Sequence, residues 1–155
     1  MESDKTILGK LDTIKHIHRV RELLHLMILR LDERAKNHDW SKLESPQAEI
    51  FGEYGSELAK TVYGSEEYQK LLEKVKPAIE DHYSKERHHP EHHKDGVNDM
   101  NLLDLIEMLC DWRAATERNK AGNIRKSIEH NKTRYGLSDQ LARIFENTVK
   151  EEFQE

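Results

Sequence analysis

The sequence predicts an all-α fold: a bundle of six to seven helices forming one domain over residues 1–155. Three observations predict it. Glycine and proline are scarce, at 7 and 3 of 155 residues, so few points break the chain. Aromatic residues make up only 6%, while Leu, Glu, Lys and Arg abound, a composition that favours helix over sheet. Apolar residues recur at three- and four-residue intervals. The length suffices for one core without disulfides or structural zinc.

The elements follow in order. Leu8, Leu11, Ile14, His18, Leu23, Met27 and Leu31 keep helical spacing over 5–36, and Asn37 suits the end of that helix. Residues 38–42 open a short helix. Ser45 as cap and Pro46 at the first helical position start another, to about Val62. Ser65 caps a helix to about Arg87, with a kink or break expected near Lys76 because Pro77 follows. Residues 88–98, with Pro90 and Gly96, read as a loop. Asn101 caps an apolar helix to about Lys120, with Leu102, Leu105, Ile106, Leu109 and Cys110 on one face. Gly122 separates it from a helix over 123–134, Gly136 stops that one, and Ser138-Asp139 starts the last, to about Phe153.

Charge narrows the function. The formal net charge is −5, and no long basic block is present. A nucleic-acid polymer as partner is therefore disfavoured; a small anionic substrate remains compatible, because a bound metal inverts the local field. The N-terminus lacks the apolar stretch of a signal peptide. The run 23–31 is too short to span a bilayer and holds His25 and Arg30. No membrane partner is expected, and a cytoplasmic location is. Cys110, the sole cysteine, reads as a buried thiol in a reducing compartment. No oligomeric state follows from the sequence.

Ten histidines are present, five of them between 82 and 93. The stretch RHHPEHHKDG (87–96) holds four in six positions. Imidazole mixed with carboxylates suits catalytic iron, manganese or zinc, and the lack of thiolates argues against structural zinc. His38-Asp39 sits three residues before Lys42, which shares its helical face. Asp111, beside Trp112 and two alanines, reads as a ligand, because a buried carboxylate needs a partner. Asp104 reads as part of a solvated stripe. On the first helix His16, His18 and His25 are all candidates; Asp12, one turn before His16, would orient that imidazole. Each feature also has a plain structural reading: a helix N-terminus for His38-Asp39, an acidic stripe for the carboxylates, a solvated loop for 88–93.

Taken in order, His16, His38-Asp39-x-x-Lys42, His82, His88-His89 and Asp111 resemble the signature of the HD-domain superfamily of metal-dependent phosphohydrolases. HDWSK (38–42) matches the HD-x-x-K variant of HD-GYP phosphodiesterases and of myo-inositol oxygenase. RHHPEHHKDG is similar to the histidine-rich segment of HD-GYP proteins, without the following Gly-Tyr-Pro. A closer resemblance is to short phage-associated HD-like proteins. It rests on HIHRV (16–20), HDWSK, YGSEEY (63–68), HHPEH (88–92), DLIEMLCDW (104–112), IRKSIE (124–129) and IFENT (144–148).

The resemblance implies an HD-type bundle and a metal site. His16, His38, Asp39 and Asp111 would hold one ion; Asp39 would bridge to a second held by His82 and by His88 or His89. The cofactor would be a divalent transition metal (iron, manganese, zinc, cobalt or nickel), in a pair. The implied activity is hydrolysis of a phosphate mono- or diester, on a nucleotide or another small phosphorylated substrate. Lys42, with Arg87, would balance charge on the phosphoryl oxygens, and water or an acid such as Glu49 would protonate the leaving group. His18, His25, His93 and His130 have no counterpart in the motif. Two other readings use the same residues: an HD-fold di-iron oxygenase, and a metal-containing binding protein without catalysis.

Overall fold

The computed structural model describes residues 3–62, 64–118 and 122–153. These residues are helical or irregular, with no strand among them. The chain divides into two compact units, Met1–Asn37 and His38–Glu155.

The first unit is a single helix, α1 (Asp4–Asn37), 34 residues long. Exposed pairs one turn apart, such as Arg19–Glu22 and Arg30–Glu33, line it, and the Asn37 side chain donates to the Glu33 carbonyl at 2.9 Å to close its end. None of its residues is buried; Leu8, Ile17, Ile28 and Leu29 are among its exposed apolar side chains. Among the described residues, no helix is long and apolar enough to cross a membrane.

The second unit opens with Asp39 in the left-handed region (φ 56°) and a 3-10 turn, Trp40–Leu43. The expected helix from Ser45 is instead a short α2 (Gln47–Ile50), a π turn (Phe51–Gly55) and a short α3 (Ser56–Leu58). Pro46 rather than Ser45 occupies the N-cap position, and no side chain caps α2. The next helix, α4 (Glu66–Lys85), begins at Ser65, whose hydroxyl accepts from the Tyr68 amide. It runs unbroken through Pro77. Pro77 and Glu73, whose carbonyl loses its partner there, are both exposed, so water can satisfy what the proline removes.

Leu71, Val75, Ala78 and His82 are the buried residues of α4. They follow one another at four, three and four positions, so they form one stripe. Three of them are apolar and pack under α2 and the π turn. The fourth carries an imidazole into the interior on the same stripe.

After two 3-10 turns, Pro90–His92 and Gly96–Asp99, the chain enters α5 (Leu102–Glu117). Asn101 and Asp104 form a reciprocal capping box there. The expected continuation of this helix to Lys120 lies outside the described residues. α6 (Ile124–Tyr135) is capped by Asn123 and ends at Gly136, whose φ of 65° suits a residue without Cβ. α7 (Asp139–Glu152) is capped by Ser138.

The main apolar core joins these three helices: Met108, Leu109 and Trp112 from α5, Ile124 and Ile128 from α6, and Leu137, Ala142, Phe145 and Val149. Trp112 meets the edge of Phe145 at 5.8 Å between centroids and stacks on Tyr135 at 6.3 Å. The face of α5 therefore differs from expectation. Leu109 is buried, but Leu102 and Ile106 are exposed, and Cys110 is exposed rather than buried. Met108 and Trp112 take their place because α6 and α7 pack on that side.

Asp104 is also corrected. It is fully buried and binds the Arg87 guanidinium through both oxygens, at 3.2 and 3.0 Å. Arg87 thereby ties the end of the histidine-rich segment to the start of α5, instead of standing ready for a phosphoryl group.

Candidate metal centre

The His82 imidazole is aimed inward by its place on the buried stripe of α4. Its Nε2 lies 3.3 Å from Asp39 Oδ1 and 2.9 Å from His89 Nε2. His88, 1% exposed, places Nε2 at 3.6 Å from the same Asp39 oxygen. Asp39, His82, His88 and His89 thus form one grouping of possible ligand atoms. Both His88 and His89 belong to it.

The other Asp39 oxygen serves a second grouping. His38 Nε2 lies 3.7 Å from Asp39 Oδ2 and 3.8 Å from Asp111 Oδ1, and these three residues can share a cation. Metal–ligand bonds of about 2.1 Å put neighbouring ligand atoms roughly 3.0–3.4 Å apart, and those at wider angles further. The observed separations are of this size. Lys42 Nζ donates to Asp39 Oδ2 at 2.6 Å. The left-handed backbone at Asp39 is what lets His38 and Asp39, adjacent in sequence, turn towards one interior; a non-glycine residue there is strained unless its surroundings hold it.

A carboxylate that the sequence reading placed only in the acidic stripe completes the arrangement. Glu107 Oε1 is 3.0 Å from His38 Nδ1 and 3.3 Å from His88 Nδ1. It lies one turn before Asp111 on α5, so both carboxylates share a face. With His38 and His88 it forms a third possible grouping, but it meets the ring nitrogens that point away from Asp39. It therefore suits the carboxylate–imidazole contact that orients ligands. Its place four residues before Asp111 was the only signal available.

The electrostatics favour a cation. The neighbouring Asp111 carboxylate, the hydrogen bond to Glu107 and the Asp39 charge raise His38 from 6.5 to about 10 against the effect of burial. Burial pushes Asp39 and Asp111 up, yet Lys42 and the imidazoles outweigh it and leave both carboxyls below their usual range. Burial, then the Lys42 charge, lowers His82 to about 4. Burial, then His88 and His82, lowers His89 to about 3. One side of Asp39 thus holds His38 among carboxylates, and the other holds His82 and His89, both kept neutral by burial.

Asp39 Oδ1 and both His88 ring nitrogens are buried without a hydrogen bond. Buried polar groups ordinarily have partners, and an unsatisfied one costs about 1–3 kcal/mol, more when charged. A divalent cation would satisfy Asp39 Oδ1 and His88 Nε2 together. The mixed nitrogen and oxygen donor set fits iron, manganese, cobalt, nickel or zinc better than calcium or magnesium. The residues present therefore fit a metal.

His38, Asp39, His82, His88, His89 and Asp111 are brought together as ligand-type residues. His16 is not among these groupings; it is exposed on α1, and Asp12 pairs there with Lys15 at 3.5 Å. Glu49 is exposed on α2, outside the groupings. His18, His25 and His130 are exposed, and His93 Nε2 contacts the Arg87 carbonyl at 2.9 Å. Gln47 and Ser41, both buried against the cluster's edge, had no signal: nothing in their local sequence distinguishes them from surface residues.

No match to this chain was found among curated proteins or among solved structures. The model of a family of unknown function, DUF5662, matches residues 8–151, and the chain belongs to that family.

Proposed function

We propose that the cluster around Asp39 is a metal centre and that the protein is a metal-dependent hydrolase of small phosphate esters, of the HD type. The observation that carries this reading is the position of Asp39. Its Oδ1 faces His82 and His88 and its Oδ2 faces His38, while buried Oδ1 and His88 Nε2 lack hydrogen bonds.

In this reading His82, His88 and His89 hold one ion, His38 and Asp111 hold another, and Asp39 bridges them. Bound there, divalent ions supply Lewis acidity and make water a nucleophile near neutral pH. The chain's own residues do the rest. Glu107 holds His38 by its outer nitrogen and faces that of His88 at 3.3 Å. Lys42 is half-exposed and anchored at one hydrogen to Asp39, which leaves two N–H donors for phosphoryl oxygens as negative charge builds on them. The leaving alkoxide takes its proton from solvent, since Glu49 stands outside the cluster.

The test joins metal analysis to a substrate panel. The purified protein is loaded separately with manganese, iron, cobalt or zinc, and assayed on mono-, di- and cyclic nucleotides and simple phosphodiesters. Phosphate ester cleavage that needs metal and disappears in Asp39→Asn is expected. No metal uptake at micromolar concentration would overturn the reading. Oxygen consumption without phosphate release would instead support oxidative chemistry at the same residues.

A further inference from the structure

We infer that Asp81, Gln47 and Ser41 form a positioning chain that locks His82 as its Nδ1–H tautomer and leaves Nε2 free to bind a cation. For its function the chain rests on the metal reading above; for its existence it does not.

The chain of contacts runs inward from the surface. Lys85 Nζ donates to Asp81 Oδ2 at 2.7 Å. An ionised carboxylate only accepts, so the Gln47 group at 2.8 Å from it must be the amide nitrogen. Gln47 is fully buried, and its amide oxygen therefore faces Ser41. That oxygen only accepts, so the single Ser41 hydrogen goes to it, at 3.2 Å. Ser41 Oγ is left as an acceptor for His82 Nδ1, 3.1 Å away. Nδ1 must then carry the hydrogen, and Nε2 carries the lone pair.

The opposing tautomer has its own attraction. With hydrogen on Nε2, His82 could donate to His89 Nε2 at 2.9 Å or turn it towards Asp39 Oδ1, 3.3 Å away. Nδ1 would then be a bare acceptor facing a hydroxyl whose hydrogen is already given away. With the lone pair on Nε2 instead, His89 must be the donor until a cation replaces its hydrogen. The chain decides between the two, and it does so with residues that touch no substrate. Ser41 and Gln47 are positioning residues, and fixing the outer nitrogen of a ligating histidine is how such partners act.

Two-bond proton–nitrogen correlation spectra of the ¹⁵N-labelled, metal-free protein near neutral pH read the tautomer directly. His82 is expected with a protonated Nδ1 and an unprotonated Nε2. Gln47→Leu frees the Ser41 hydrogen for Nδ1, so His82 should move towards the Nε2–H form. Zinc affinity, measured against a chromophoric chelator, should fall by about 10- to 100-fold. Ser41→Thr keeps the hydroxyl and should keep both the tautomer and the affinity.

An Nε2–H tautomer in the wild-type spectrum overturns the inference, and so does an unchanged tautomer in Gln47→Leu. If Gln47→Leu fails to fold, the wild-type spectrum still decides. A wild-type protein that shows the Nδ1–H form yet takes up no zinc would establish the chain and sink the metal reading.

Discussion

Helix α5 separates two interiors of different kinds. Met108, Leu109 and Trp112 face an apolar core shared with α6 and α7. Glu107 and Asp111 face a polar interior of imidazoles and carboxylates gathered from residues 38–39 and 82–89. Burial of apolar surface stabilises the first, at roughly 25 cal/mol per Å². The second gains little that way, since its charges lose solvation and its buried Asp39 Oδ1 and His88 nitrogens lack hydrogen bonds. One helix thus divides the work: its apolar face holds the fold, and its acidic face lines the polar cluster proposed above as a metal centre.

That division fails or sharpens on substitution. The largest effect is expected at Asp39. Asn tolerates the left-handed backbone, so Asp39→Asn should fold and keep the apolar core. It should lose at least one ion and nearly all metal-dependent turnover. Metal content and activity measured on the same sample check this; full occupancy with full turnover would remove Asp39 from its bridging place.

The reverse experiment is Phe145→Ala. It removes the ring that meets Trp112 edge-on and leaves a cavity in a buried position. A loss of about 3–5 kcal/mol is expected in urea unfolding, with metal affinity of the folded fraction unchanged. An equal loss in metal affinity would mean that the two interiors are not separable.

Acid separates them without mutation. In the metal-free protein His82 and His89 stay neutral down to about 4 and about 3. Unfolded, each takes a proton near 6.5. The unfolded chain therefore binds more protons below 6.5, and stability falls with pH from there through the folded values. His38, raised to about 10, has the opposite sign: its contribution is complete below 6.5 and is lost as pH rises through about 10. Urea midpoints of the chelator-treated protein should peak between these limits and drop on the acid side by an amount on the order of 3 kcal/mol. A flat acid limb would show that these imidazoles are not buried as neutral bases.

Glu107→Gln should have a smaller effect. Gln keeps the size of the side chain but not the charge opposite His38 Nδ1. Metal affinity should fall by about 10- to 100-fold, with little change in melting temperature. Unchanged affinity would make Glu107 a bystander.

Helix boundaries were more legible in the sequence than which side chains meet inside. Ser65, Asn101, Asn123 and Ser138 mark helix starts by chemistry that acts over three residues, and Gly136 marks a stop the same way. His38, Asp39, His82, His88, His89 and Asp111 stood out as ligand types in a recurring order. Glu107 did not, because its meaning comes from His38, 69 positions away. Gln47 did not either: its amide matters through Ser41 and through Asp81, 34 positions on. Pro77 misled for a physical reason, since its penalty depends on whether water reaches the freed carbonyl. Asp104 misled because the same spacing serves a solvated stripe and a buried clasp, and Arg87 decides between them.

The smallest expected effect lies where the two interiors meet. Asn101 Oδ1 accepts from the Leu103 and Asp104 amides at 2.9 and 3.1 Å, and Asp104 Oδ2 accepts from the Asn101 amide at 2.9 Å. Asn101→Ala removes the first two bonds and keeps the third, because a backbone donor survives the substitution. Asp104 also keeps Arg87. The first turn of α5 should therefore loosen by about 1 kcal/mol without moving Glu107, one turn further in. Thermal unfolding should register the loss, and metal affinity should not. If affinity fell as far as in Glu107→Gln, fraying at the cap would be reaching the acidic face, and α5 would be one cooperative unit that cannot serve its two sides independently.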